Sequence, residues 1–113
     1  MMDGGGEVLA TGPRPAIDMP NVALTLKRGR LLADVTGSIK VDIFVDSYAN
    51  HPPTDADSIC AGHELEISGA DKDEDQTLTG WTTTMAARAV MRINVDSVST
   101  ITQCTVTLEA DPT

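Results

Sequence analysis

The chain has 113 residues (11.9 kDa), a formal net charge of −9, and 41 % apolar residues that include a single Trp, Tyr and Phe. One ordinary domain fills that length, so a cofactor domain paired with a substrate domain is excluded; a domain this small buries roughly two-thirds of its unfolded surface and gains stability from association. The acidic balance excludes nucleic acid and anionic membrane as natural partners, because phosphate contacts need clustered Lys and Arg.

Residues 1–20 read as an N-terminal arm. Met1-Met-Asp-Gly-Gly-Gly6 has too many successive glycines for regular structure, and Pro13, Pro15 and Pro20 forbid a continuous helix while allowing Ala16 to Met19 to lie extended along an edge. The arm has neither the basic start nor the apolar stretch of a secretory signal, and no apolar run approaches the length of a membrane span.

From residue 21 to 113 the pattern has period 2. Val22, Leu24 and Leu26 alternate with Ala23, Thr25 and Lys27, and Ile39, Val41, Ile43 and Val45 alternate with Lys40, Asp42 and Phe44, so each run presents one apolar face. Between these runs, Lys27-Arg-Gly-Arg30 reads as a basic turn, Leu31 to Val35 as a short strand, and Thr36-Gly-Ser38 as a tight connection. Leu65 and Ile67, then Met91, Ile93 and Val95, then Cys104, Val106 and Leu108 repeat the alternation. Thr84 to Met91 is the one helical window, about two turns long and without a glycine stop, which is too short to hold alone. The expected fold is all-β, an antiparallel β-sandwich or jelly roll of about 6–8 strands carrying an extended arm.

The segment from Asp46 to Ser58 is a long Pro- and Asx-rich loop, a length that in compact domains often serves recognition. Near the loop the sequence resembles a known family. Val41-Asp-Ile-Phe-Val-Asp-Ser-Tyr-Ala-Asn-His-Pro-Pro-Thr-Asp-Ala-Asp-Ser-Ile59, Leu78-Thr-Gly-Trp-Thr-Thr83 and Asn94-Val-Asp-Ser97 are similar to a small module that recurs in virion proteins of tailed bacteriophages and prophages, tail-fibre proteins among them. The resemblance covers residues 8–109 and implies a virion component.

Chemical motifs are sparse. Asp71-Lys-Asp-Glu-Asp75 starts like a calcium loop, but Gln76 and Thr82 stand where the EF-hand needs Gly and Glu, so a solvated acidic turn is expected. Cys60, His63, Cys104 and His51 lack the two compact ligand pairs of a structural zinc site. No metal or cofactor is therefore expected. The two thiols could be free, bridged or metal-bound, and the ordinary role of such residues is as small buried hydrophobes. With two histidines and no nucleophile motif, no enzyme is expected. Trp81 is assigned to the core, and Tyr48 stays open between core and carbohydrate platform.

The reading that results is a structural virion protein, a capsid decoration or cement protein on the head surface, made in the host cytoplasm and binding the major capsid protein and itself, as a homotrimer or else a dimer. Candidate contacts are Val8, Leu9, Arg14, Ile17 and Met19 on the arm with Lys27, Arg28 and Arg30 beyond it, and the arm is expected to be dispensable for folding. The alternative is a receptor-binding or tail-fibre module in which Tyr48, Asn50 and His51 meet host glycans.

Overall fold

The computed structural model describes residues 2–113. Eight strands pair antiparallel in one sheet: β1 (Met2–Asp3), β2 (Gly12–Pro13), β3 (Ile17–Asp18), β4 (Leu24–Asp46), β5 (Leu65–Asp75), β6 (Thr84–Met85), β7 (Val90–Ser99) and β8 (Gln103–Pro112). Among the described residues there is no α-helix, only two 3₁₀ turns at Tyr48–Asn50 and Asp55–Asp57. The window at Thr84 to Met91 is β6, a turn and the start of β7, because both of its ends pair with β4, Met85 opposite Leu24 and Met91 opposite Val45.

β4 organises the molecule. Its 23 residues would span about 75 Å if straight, twice the longest dimension of 36 Å, so the strand bends back on itself. β8 pairs with its first half (Leu24↔Pro112 to Ala33↔Cys104) and β7 with its second (Ser38↔Ser99 to Asp46↔Val90), one after the other along the same side. β5 runs past both halves on the other side, from Val41↔Leu65 to Gly29↔Asp75, and β6 continues that side at Leu24↔Met85. The bend in β4 lies opposite the break between β7 and β8. There the Asp34 carboxylate accepts from the Thr102 hydroxyl, from Thr102 N and from Gln103 N at 3.0 Å, which holds its pKa below the usual carboxylate value.

Two expected turns are therefore absent. Lys27 to Arg30 lies within β4 and carries a β-bulge between Leu26 and Arg28; the apolar face passes from Leu24 and Leu26 to Leu31 and Ala33 by that one-residue slip, with no reversal of the chain. Thr36 to Ser38 is likewise continuous, with register shifts against β5 on both sides of Gly37. A phase change in the alternation marks a bulge as readily as a turn, which is why the sequence alone suggested reversals here.

Leu26 and Leu31 from the first half of β4 share one core with Ile39, Val41 and Ile43 from the second, joined by Leu65 and Ile67 of β5, Ile93 and Val95 of β7 and Cys104 of β8. Trp81 closes that core, and its indole N–H donates to the His63 carbonyl at 2.8 Å. Asp42 and Phe44, which alternate with that run, are buried as well, since Pro53 to Cys60 folds over them through the Phe44↔Ser58 bridge and Ile59 N donating to Ile43 O.

The N-terminal segment is part of the fold and not an appended arm. β1 pairs with β8, and β2 and β3 pair with β7; Met2 and Leu9 belong to the core. Residues 4–9 wrap the β7–β8 break, with Gly4 N donating to Thr102 O and Leu9 N to Ile101 O. Arg92 fastens the segment from the far side by donating to the carbonyls of Arg14 and Pro53. These contacts argue against the expectation that residues 1–20 are dispensable for folding.

Candidate functional site

The candidate contact residues separate by exposure. Val8 and Ile17 are 49 % and 46 % exposed, Arg14 and Met19 are half-buried, and Lys27 is exposed. Leu9, at 4 % exposure, sits in the core of its own chain and cannot touch a partner. Arg28 and Arg30 are committed within the chain: each stands opposite an acid in the register and pairs with it, Arg28 with Glu109 at 2.9 Å and Arg30 with Glu74 at 2.7 Å. Two members of the basic cluster seen in the sequence, Arg28 and Arg30, thus form cross-strand ion pairs that help fix register, and at such exposure they add little to stability. The Gln76 amide, then Arg30, holds the Glu74 carboxyl below its ordinary pKa.

Arg14 and Ile17 line one hollow. Together with Met2, Pro15, Met91, Ile93, Val106 and Leu108 they enclose about 330 Å³ between the N-terminal strands and the β7–β8 side of the sheet. Its wall is apolar except for the Arg14 guanidinium, which donates to the Ala10 carbonyl at 2.7 Å. Among the described residues, the outer side of β8 is paired only at Gln103 and Cys104, so the strand beyond them offers a free edge beside the hollow.

The loop after β4 presents a different surface. Asp46 Oδ1 accepts from Ser47 N at 2.7 Å and from the Asn50 amide at 3.1 Å; these bonds lower the pKa of Asp46 and fix the 3₁₀ turn that carries Tyr48. Asn50 therefore positions the loop, Tyr48 projects from it at 80 % exposure, and His51 is exposed but lines neither of the hollows flanking Tyr48. Asp18, Asn21 and Arg88 join Tyr48 around one of those hollows. The sequence reading missed these three because they lie far from Tyr48 along the chain and meet it only where β3 closes on the turn before β7.

Three carboxylates also converge. Asp42, Glu64 and Asp96 each place an oxygen within 4.8 Å of the others, and Asp42, 3 % exposed, accepts from Ile43 N and the Ser58 hydroxyl, both at 2.7 Å. Asp71, Asp73 and Asp75 form no such group: they lie along β5, and Asp75 caps the turn that follows by accepting from Thr77 N and Leu78 N. Of the residues considered for zinc, Cys60 and Cys104 are free and buried, and burial pushes both thiols up, which leaves them unreactive.

Asp96 is exposed at the rim of this group, yet partial desolvation, then the charges of Asp42, Glu64 and Asp55, raise its pKa, against a lowering hydrogen bond from Asn94. A carboxyl whose folded value lies above its unfolded value favours the fold while protonated, and that contribution is lost as pH rises through the folded value. Asp96→Asn, which keeps an acceptor for Asn94, is therefore expected to melt higher than the parent at pH 7. The gap should close as pH falls below about 4, where Asp is protonated in both states. A melting series over pH checks this; an equal or lower melting point for the variant at pH 7 contradicts it.

No protein family, curated protein or solved structure matches this chain. Among the described residues no helix is long and apolar enough to cross a membrane.

Proposed function

We propose that this protein is a structural component of a tailed-bacteriophage particle, a decoration or cement protein that docks on assembled capsid subunits and stabilises the head. On this reading it makes and breaks no bond, needs no cofactor, works as a homotrimer or else a dimer, and reaches the capsid surface after synthesis in the host cytoplasm. The folded-back ribbon is then a small sandwich, with the two halves of β4 in its two layers.

The observation that carries the reading is the flank where Arg14 and Ile17 border an apolar hollow beside the open edge of β8. A rigid subunit surface gains most from such a place: apolar area at the centre, a cation at the rim, and backbone groups able to accept a neighbouring strand. Val8, Arg14, Ile17, Met19 and Lys27 remain the contacts, and Leu9, Arg28 and Arg30 drop out. Many weak contacts repeated over a lattice act together, so no single copy needs high affinity.

Mass spectrometry of purified particles is expected to count copies on the order of hundreds, matching a symmetric shell. Ile17→Asp should lower that occupancy while leaving the melting point of the free protein unchanged. A handful of copies per particle would overturn the head assignment and favour a tail-fibre or spike module, the second reading, which the exposure of Tyr48 supports.

A further inference from the structure

Tyr48 is the common wall of two hollows. The first, of about 620 Å³, is lined by Asp18, Met19, Asn21, Tyr48 and Arg88. The second, of about 530 Å³, includes Val45, Ala49, Met85, Ala86, Ala87 and Ala89 in its lining. The two differ in chemistry: planar polar groups rim the first, and methyl groups dominate the second.

The surroundings of both are fixed. Asp46 holds the turn that carries Tyr48. Arg88 adopts the left-handed conformation (φ 61°), and its N–H donates to Pro20 O at 2.8 Å while Met19 N donates to Ala89 O at 2.9 Å. A left-handed Arg is a strained choice for an L residue, and the backbone bonds to the segment after β3 hold it there. Its guanidinium, the Asp18 carboxylate and the Asn21 amide have no hydrogen-bond or ion-pair partner among the described residues. An exposed aromatic ring, three unengaged planar polar groups and an alanine-lined recess therefore converge on one place.

We infer that this place binds a saccharide, and that it prefers an N-acetylhexosamine to the plain hexose. The acceptor of Asp18, the donors of Arg88 and the mixed character of Asn21 complement hydroxyls, which both donate and accept hydrogen bonds. An anionic ligand would meet Asp18 and Asp46, and a wholly apolar one would strip water from the polar rim without replacing it. A pyranose has an apolar face for the Tyr48 ring and hydroxyls at its margin, and hollows of this size suit one or two sugar units. The alanine-lined recess takes the acetamido methyl. The inference is independent of whether the chain stands on the head or on the tail.

The test is titration of the intact protein with N-acetylglucosamine, its β-1,4-linked dimer and glucose, followed by amide chemical shifts in NMR. Saturable shifts are expected around Tyr48, Arg88 and Ala86 to Ala89, with glucose weaker by about tenfold or more for want of the acetyl group. Tyr48→Ala should weaken binding by about tenfold, the loss of one aromatic contact, while Tyr48→Phe keeps it within about twofold. Arg88→Ala should weaken binding as well, and the unperturbed spectrum of each variant shows that it folds. Absence of saturable shifts, equal affinity for glucose, or unchanged binding by Tyr48→Ala overturns the inference, whereas the head assignment stands or falls on copy number.

Discussion

Removal of residues 1–20 is expected to unfold much of the population at room temperature. The truncation takes Met2 and Leu9 out of the core and strips three strands from the outer edges of β7 and β8. Each large buried side chain contributes about 2–5 kcal/mol, and the whole stability of a domain this size is about 5–15 kcal/mol. Urea denaturation followed by Trp81 fluorescence reads the effect. Leu9→Ala alone should lose about 2–5 kcal/mol, while Val8→Ala, next to it but half exposed, should change stability by less than about 0.5 kcal/mol. A truncated chain with the parent midpoint would show that the N-terminal strands are an accessory and would restore the idea of a free arm.

Gly37 should be the least replaceable glycine in the long strand. A Cβ built there would lie 2.6 Å from the Ser99 carbonyl oxygen and 2.9 Å from Ile101 Cγ1, at the point where β4 bends and the β7–β8 break packs into the bend. The first obstacle is backbone that cannot rotate away, so Gly37→Ala is expected to destabilise by about 1–3 kcal/mol, and Gly37→Val by more. Gly29, on the same strand, faces the ends of the Leu65 and Leu108 side chains at 3.0 and 3.3 Å, which can turn aside. Gly29→Ala should therefore cost less than Gly37→Ala. Chemical denaturation of the two variants side by side decides the order, and the reverse order would mean that the close approach at the bend does not limit packing.

Both expectations concern the same structural device. A strand too long for the molecule must turn back without a loop, and this one does so by pairing its bend with a break in the neighbouring strand. Asp34 ties the two sides, donors from Thr102 and Gln103 meeting its carboxylate, and the N-terminal segment wraps the outside through Gly4 and Leu9. Core, bend and wrapping segment are thus one cooperative unit. The two surfaces proposed for recognition are the Tyr48 turn and the flank of β8, where exposed side chains such as Tyr48 and Ile17 can be replaced without removing a core residue.

The period-2 runs determined by themselves that the chain is a β protein and which side chains face the core, because alternate side chains must share a face whatever the strand pairs with. Ile39, Val41, Ile43, Leu65, Ile67, Ile93 and Val95 are all in the core for that reason. The large indole of Trp81 was likewise assigned to the core and the two isolated cysteines to the role of small buried hydrophobes, and all three are buried. Connectivity could not be read from local pattern. A slip of phase at Lys27 to Arg30 is the same in sequence whether the chain reverses or bulges, and only cross-strand partners such as Glu109 opposite Arg28 and Glu74 opposite Arg30 decide it. The burial of Leu9 and Asp42 and the meeting of Asp18, Asn21 and Arg88 with Tyr48 were settled in the same way, by contacts between residues distant in the chain, whose geometry exists only once the long strand has folded back.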